Sequence, residues 1–233
     1  MSPTTENKRC QAYEHLINIF QIHSPYLDKQ RILNIYIAPE GFLRTALRVN
    51  PKARAIGFSL LRYEEDHNIL LSKYPNISVK FIDITLLTAD MGLLEIPNNH
   101  PDTGKFLPRQ FESGQAFDLV IYNNQVLRNH DRATYHKHQE ASRLTLTQLA
   151  LGLEHIKLEK TMIILLHKHP RFHAKRSSFY ILTTNIRTDC PDAAMAIQGT
   201  NNIYNQALQH NVPDINLILK NFGPRLAVLD KHI

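Results

Sequence analysis

The sequence predicts a single α/β domain built on a mostly parallel β-sheet. Short apolar segments of strand composition alternate with helical segments, and parallel strands need such crossover helices. The chain has 233 residues, enough for one well-buried domain and too few for two ordinary ones. The predicted strands are Ile32–Ile37, Ala53–Phe58, Val79–Ile82, Phe117–Tyr122 and Met162–Leu166, and the predicted helices are Leu43–Val49, Tyr63–Ser72 and Asp131 to about Leu158. The segment from Pro97 to Ala116 lacks periodicity and predicts a surface loop.

The first predicted strand leads through a glycine-containing loop into a helix. Ile32–Ile37 is followed by Ala38-Pro39-Glu40-Gly41-Phe42 and then by Leu43–Val49. In nucleotide-binding α/β folds such a loop lets the backbone approach a ligand, and the helix N-terminus faces that ligand. We therefore expect a ligand site at the carboxyl ends of the strands.

Composition limits the classes of partner and compartment. The formal net charge is +6, which permits an anionic partner but is modest for a dedicated nucleic-acid-binding protein. Two cysteines provide no disulfide framework, and the polar N-terminus has no apolar signal core. The longest apolar runs, such as Met162–Leu166, are too short to span a bilayer. We expect a soluble cytoplasmic protein that does not associate with membranes.

Two motifs carry a resemblance to a known family. The segment Leu33–Phe42 resembles motif I of the FtsJ-like methyltransferases, in particular those of fungal proteins, which reads roughly Leu-Asp-x-x-x-Ala-Pro-Gly-Gly-Phe. The segment Phe117–Leu127 resembles the family's fourth-strand motif, Phe-Asp-Leu-Val-Ile-x-Asp-Gly-Gln-Val-Leu. The resemblance covers roughly Gln30–Leu182 and implies a Rossmann-like methyltransferase fold. It predicts one domain: an N-terminal helical extension over 1–29, a family-like core over 30–182, and a C-terminal helix and tail over 183–233.

The family's contacts to its methyl donor, S-adenosylmethionine, are altered in this chain. Asn34 stands in place of the motif's acid, Tyr36 in place of a small residue, and Glu40 in place of a glycine. Ser59 replaces the acid that grips the donor's ribose, and one hydroxyl cannot bind both ribose hydroxyls as a carboxylate does. Asp83 is retained where the family contacts adenine, although an aspartate after a strand is also a common helix cap. A glutamate at position 40 either repels the donor's carboxylate or points outward and complements the following helix.

The resemblance also implies a Lys-Asp-Lys-Glu set that deprotonates a ribose hydroxyl, and this set is incomplete. Asn123 replaces the aspartate, and an amide cannot support a neighbouring lysine as a carboxylate does. Lys168 matches the second lysine, and the glutamate position falls near Ser178. Lys8 and Lys29 are both candidates for the first lysine.

The C-terminal region predicts a shortened version of the fold. The closing strand of the family resembles the segment after Ser177, so the helix and strand that normally precede it are missing. We expect Ser178–Leu182 to pair antiparallel with Ile163–Leu166 as a hairpin. Pro191–Gln209 predicts a helix.

Basic and imidazole side chains cluster between these two strands. His167, His169 and His173 permit joint metal binding, but surface or hydrogen-bonded histidines are the more frequent outcome, so we expect no metal. The run from Lys168 to Arg176 could contact nucleic-acid phosphates or form a solvated hairpin, and the cations expected to make such contacts are Arg171, Lys175 and Arg176.

These departures favour a diverged enzyme that has lost the methyl donor. We expect no cofactor, weak or absent binding of S-adenosylmethionine, and a small, mainly apolar organic substrate that undergoes cyclisation or isomerisation in natural-product biosynthesis. The alternatives are an active S-adenosylmethionine-dependent methyltransferase of RNA or a small molecule, and a non-catalytic scaffold or RNA-binding module. The expected catalytic residues are Lys168, Asn123 and His169, and the expected substrate-binding residues are Tyr36, Glu40, Ser59, Asp83, Asn124, Gln125, His167 and Ser178.

Overall fold

The structure is a computed structural model that describes part of the 233-residue chain. The described residues are 30–37, 41–60, 74–92, 96, 98, 100–122, 140–167, 178–191, 194–195, 197–199 and 202. They fall into two compact units. Of the described residues, the first unit holds those up to 82, 117–122, 160–167 and 178–184, and the second holds those between 83 and 116, 140–159 and those from 185 onwards.

Six strands and two longer helices form the described part of the fold. In chain order they are β1 (Arg31–Ile35), α1 (Gly41–Val49), β2 (Arg54–Ser59), β3 (Ile77–Phe81), β4 (Phe117–Tyr122), α2 (Glu140–His155), β5 (Ile156–His167) and β6 (Ser178–Ile186). Short 3-10 turns cover Ile84–Leu86, Thr88–Met91 and Thr103–Lys105. The described residues from 191 to 202 are helical, in agreement with the helix predicted after Pro191.

The strands belong to one sheet in the order β3-β2-β1-β4-β5-β6. The pairs β1/β2, β1/β4 and β2/β3 are parallel, and the sheet as a whole is mostly parallel with one antiparallel pair. β5 and β6 are neighbours with no strand between them, as the predicted shortening requires. This order confirms the predicted Rossmann-like α/β fold, in which the chain reverses its direction of travel across the sheet between β1 and β4.

Most predicted elements have at least one boundary that differs from the structure, and two of these differences have a clear physical reason. The helix predicted to reach about Leu158 ends at His155, because the chain from Ile156 onwards joins the sheet as β5. The strand predicted to reach Ile37 ends at Ile35, because Tyr36 adopts a backbone φ of 84° that no strand can continue. The predicted helix Tyr63–Ser72 and the N-terminal helical extension lie outside the described residues.

Apolar side chains between α1 and one face of the sheet form the core of the first unit. α1 contributes Phe42, Leu43 and Ala46, whose i, i+1, i+4 spacing places them on one face of the helix. The sheet contributes one side chain at every second position along each strand, as the alternation of strand side chains requires. These residues include Ile32, Ala55, Ile77, Leu119, Ile121 and Ile163.

Asp118 fastens the start of β4 to the start of β1. Its Oδ2 atom accepts hydrogen bonds from the backbone N–H groups of Gln30 and Arg31 at 3.1 and 2.9 Å. The Nζ atom of Lys160 lies 3.8 Å from Oδ1, and the Asp118 side chain is only 5% exposed. The aspartate of the Phe-Asp-Leu-Val-Ile motif therefore has a structural role in this chain.

The second unit is organised around the buried carboxylate of Asp90. Both of its oxygens accept hydrogen bonds from the backbone N–H of Gln110, and Oδ1 also accepts one from Phe111. The ring nitrogens of His155 lie 3.0 Å from the carbonyl oxygen of Gln115 and 2.8 Å from that of Asp90. The predicted surface loop over Pro97–Ala116 thus has a buried anchor, which its polar composition did not reveal.

None of the helices in the part of the chain that the structure describes is long and apolar enough to cross a membrane.

The exit of β1 is packed tightly against β2 at Gly57. The backbone N–H of Ile37 donates a hydrogen bond to the carbonyl oxygen of Phe58 at 2.8 Å, and the Ile37 side chain is fully buried. A Cβ atom on residue 57 would overlap the Cγ1 and Cδ1 atoms of Ile37. The absence of a side chain at Gly57 therefore permits the chain to return onto β2 after Tyr36.

We predict that Gly57→Ala lowers the free energy of unfolding by about 1–3 kcal/mol, because the added methyl group overpacks this contact. Urea denaturation of the full chain measures the change. Gly104→Ala is the matched control, because a Cβ atom there meets nothing within 4 Å. Combining Gly57→Ala with Ile37→Val should recover part of the loss, and a Gly57→Ala variant as stable as the parent would contradict the packing described.

Candidate functional site

The candidate site lies at the carboxyl ends of β1 and β4. These strands are parallel neighbours, and Ile35 of β1 is the register partner of Tyr122 of β4. In sheets of this order, ligands bind in the crevice outside the carboxyl ends at the point where the strand order reverses. The described residues at the carboxyl ends of β1 and β4 all belong to the first unit.

The chain leaves β1 through a left-handed turn at Tyr36. Its φ of 84° is one that glycine adopts readily and that other residues adopt at a cost of about 1–2 kcal/mol. The Tyr36 residue is 6% exposed, so its ring is packed in the interior. The resemblance assigns a small residue to this position. The chain therefore keeps a glycine-type backbone conformation although its side chain is a large aromatic ring.

Asn34 places an unpaired amide group inside the sheet. The residue is completely buried, and neither its Oδ1 nor its Nδ2 atom has a hydrogen-bond partner among the described residues. Its register partners are Gly57 on β2 and Ile121 on β4. A buried polar group without a partner lowers stability by about 1–3 kcal/mol. A water molecule or a ligand atom that hydrogen-bonds to this amide would remove that penalty.

Tyr122 is a second buried polar group at this point. The residue is 1% exposed, and within the described part of the chain no group hydrogen-bonds to its hydroxyl. Burial raises the pKa of the Tyr122 phenol well above its ordinary value, so the hydroxyl stays protonated. As a neutral phenol it can both donate and accept a hydrogen bond.

Ser59 ends β2 as predicted, but its side chain is not presented to solvent. The residue is 1% exposed, and its carbonyl oxygen accepts a hydrogen bond from the backbone N–H of Ile82 at 2.8 Å. The ribose contact predicted for this position would need the Ser59 hydroxyl to become accessible.

Asp83, in the second unit, caps the 3-10 turn Ile84–Leu86. Its Oδ1 atom accepts hydrogen bonds from the backbone N–H of Thr85 at 2.9 Å and from the Thr85 hydroxyl at 2.7 Å. Its Oδ2 atom lies 4.0 Å from Nη2 of Arg143, and 36% of the Asp83 side chain is exposed. The capping role is observed, and the adenine contact stays a prediction.

The other predicted site residues are not placed by the structure. His167 ends β5 and Ser178 begins β6, but only their backbones are described. Among the described residues, no group of three or more metal-ligating side chains occurs. The predicted positions outside the described residues are Glu40, Asn123, Asn124, Gln125, Lys168, His169, Arg171, Lys175 and Arg176.

Sequence reasoning did not identify Tyr122 as a site residue. Tyr122 is the last residue of an apolar segment, and the sequence pattern predicts that it ends a strand. The pattern does not show whether its hydroxyl is buried or faces solvent. Its position directly before Asn123, where the resemblance places a catalytic aspartate, is the one signal in the sequence that could have indicated it.

Comparison with known proteins finds similarity at the level of structures. No family model matches the chain, and no curated protein matches it. A ribosomal RNA methyltransferase of Plasmodium falciparum is 14% identical with a TM-score of 0.45, covering 75% of this chain and 96% of that one. CalS10, an amino pentose methyltransferase of Micromonospora echinaspora, is 12% identical with a TM-score of 0.42, covering 81% and 82%. Coclaurine N-methyltransferase is 13% identical with a TM-score of 0.37, covering 67% of this chain and 37% of that one.

One expectation from the sequence is corrected by this finding. We expected no cofactor, but CalS10 was solved with bound S-adenosylmethionine, and coclaurine N-methyltransferase with the demethylated product S-adenosylhomocysteine. The altered motifs of this chain therefore do not justify the expectation that the protein binds no cofactor. The cyclase or isomerase interpretation depended on that expectation.

We predict that Tyr122→Phe leaves the protein at least as stable at neutral pH, with a gain of up to about 1 kcal/mol, because the variant removes a buried hydroxyl without a partner. The pKa of Tyr122 is raised in the folded state, so its contribution is present below the unfolded phenol's pKa, about 10, and is lost as the pH rises above that value. The parent should therefore lose stability faster than Tyr122→Phe between neutral pH and strongly alkaline pH. Urea denaturation across this range measures both curves, and parallel curves would contradict the buried, neutral phenol.

Proposed function

We propose that the protein is an S-adenosylmethionine-dependent methyltransferase whose donor binds at the carboxyl ends of β1 and β4, and whose substrate is RNA or a small organic molecule. The observation that carries the proposal is the left-handed turn at Tyr36, located where the strand order reverses. Such backbone conformations persist where the surrounding structure holds them in place, and they are concentrated at ligand-binding and active sites.

The polar groups at this point support the same proposal. The buried amide of Asn34 and the buried phenol of Tyr122 stand on adjacent strands, and neither has a hydrogen-bond partner among the described residues. The register pairs Tyr122 with Ile35 and Asn34 with Ile121, so the two side chains point to opposite faces of the sheet. A bound donor would satisfy the polar group on its own face, directly or through an ordered water, and would offset the cost of that group.

The resemblance assigns the remaining donor contacts. Asp83 belongs to the second unit, where its Oδ1 atom caps Thr85, and its contact to adenine remains an expectation from the resemblance alone. Ser59 is a weak candidate for the ribose because its hydroxyl is buried. We therefore expect the ribose to be held mainly by other groups, and the affinity to be lower than a carboxylate at position 59 would give.

When bound, S-adenosylmethionine supplies an electrophilic methyl group on a positively charged sulfur. The side chains proposed to position the substrate nucleophile are Asn123 and Lys168, on the basis of the resemblance. An amide at position 123 can orient a hydroxyl or amine by hydrogen bonding but cannot take up its proton. Lys168 and His169 are the titratable groups proposed for proton uptake.

We predict that the full chain binds S-adenosylmethionine and S-adenosylhomocysteine with micromolar affinity, measured by isothermal titration calorimetry. Two variants of Tyr36 test the turn. Tyr36→Gly relieves the left-handed backbone but removes a buried ring, so it should lower the free energy of unfolding and still bind the ligand. Tyr36→Val also removes the ring and places a β-branched residue at positive φ, so it should weaken binding ten-fold or more relative to Tyr36→Gly.

Arg109→Gln, an exposed change in the second unit, serves as the control and should leave the affinity unaltered. Absence of binding of both compounds to the parent at millimolar concentration would refute the proposed function. Transfer of a labelled methyl group to total RNA or to a small-molecule extract then identifies the substrate class.

A further inference from the structure

A cleft of about 520 Å³ opens at the amino ends of β1 and β2, the opposite edge of the sheet from the candidate donor site. It is lined by Gln30 and Arg31 at the start of β1, by the turn Asn50–Ala53 after α1, and by Arg54 at the start of β2. All of these residues belong to the first unit. The cleft therefore does not overlap the site proposed for the methyl donor.

Three cations line this cleft, and all are exposed: Arg31, Lys52 and Arg54. None of these side chains forms an ion pair with a carboxylate in the part of the chain that the structure describes. The described carboxylate beside Arg31 is Asp118, which is 5% exposed and already holds Lys160 and two backbone N–H groups. Among the described residues, no carboxylate therefore balances the positive charge of the cleft.

The arrangement of the two arginines carries the inference. Arg31 and Arg54 are register partners on adjacent parallel strands, so their Cα atoms are separated by one inter-strand spacing of about 4.8 Å. Like charges at directly opposed positions destabilise a sheet. A dianion placed between the two guanidinium groups reverses this repulsion, and guanidinium groups match phosphate oxygens in two-point hydrogen bonds.

Complementing the end of α1 does not account for these arginines. Arg48 is the basic residue in the last turn of α1, and the backbone N–H and side-chain amide of Asn50 both donate to the carbonyl oxygen of Ala46. The contacts observed at the helix end thus involve neither Arg31 nor Arg54, which lie on the strands.

We propose that this cleft binds a phosphate group of a second ligand, held between the guanidinium groups of Arg31 and Arg54 with Lys52 at its rim. The phosphate belongs either to a small phosphate-bearing compound or to the backbone of a nucleic-acid strand. The inference does not depend on the proposed methyl transfer.

Binding of two probes to the full chain tests the proposal: inorganic pyrophosphate by calorimetry, and a labelled ten-nucleotide oligouridylate by fluorescence anisotropy, each over a series of salt concentrations. Arg31→Gln/Arg54→Gln should weaken binding at least about ten-fold and lower the salt dependence, since each lost phosphate contact removes about one unit or less from the slope. Lys52→Gln, a change in an exposed turn, should weaken binding less and guards against misfolding of the double variant.

Arg109→Gln/Arg187→Gln is the matched control, because it removes the same net charge from two exposed positions outside the cleft. It should leave binding within about two-fold. Binding of pyrophosphate identifies a small phosphate ligand, and binding of the oligonucleotide alone identifies a nucleic-acid strand. If neither probe binds, or if both double variants weaken binding equally, the proposal is wrong. Titration of the Arg31→Gln/Arg54→Gln variant with S-adenosylhomocysteine separates failure here from failure of the proposed function.

Discussion

The described structure depends above all on how the chain leaves β1. Tyr36 turns the backbone into the left-handed region, and Ile37 then returns to hydrogen-bond with Phe58 on β2. The return is possible because Gly57 has no side chain to meet Ile37. Burial of Ile37 in the core beneath α1 offsets the cost of the turn. The contact between Ile37 and Gly57 thereby fixes the course of the chain directly after β1.

Two buried polar groups lie near the point where the strand order reverses. Asn34 and Tyr122 lie in the strands on either side of it, buried and without hydrogen-bond partners in the described part of the chain. Such groups are costly when no ligand is bound, and the register places these two side chains on opposite faces of the sheet. At the amino ends of β1 and β2, exposed cations take the place of buried neutral groups, and these cations, Arg31 and Arg54, are register partners. The carboxyl and amino ends of the strands are therefore suited to different ligands.

Periodicity and resemblance predicted the sheet well and the site only in part. β4 has the bounds that the sequence predicted, because its apolar run is buried at every position. Tertiary effects decided the rest: the turn at Tyr36 shortened β1, and sheet pairing drew Ile156 out of the predicted helix. Asn34 and Tyr36 suggested a lost cofactor because they differ from the residues of the family motif. The sequence shows these side chains, but it does not show that the backbone at Tyr36 adopts a glycine-type conformation. Tyr122 was missed because burial of a hydroxyl is a property of packing.

Hydrogen–deuterium exchange of the full chain with and without S-adenosylhomocysteine tests the central claim most directly. The account predicts that the ligand slows exchange in peptides covering Asn34–Phe42 and Leu119–Gln125, and leaves peptides covering Arg48–Arg54 unchanged. These segments lie at opposite edges of the sheet as far as the structure describes them, so one experiment compares both. Unchanged exchange at the first two segments under saturating ligand, or protection confined to Arg48–Arg54, would contradict a donor site at the carboxyl ends of β1 and β4.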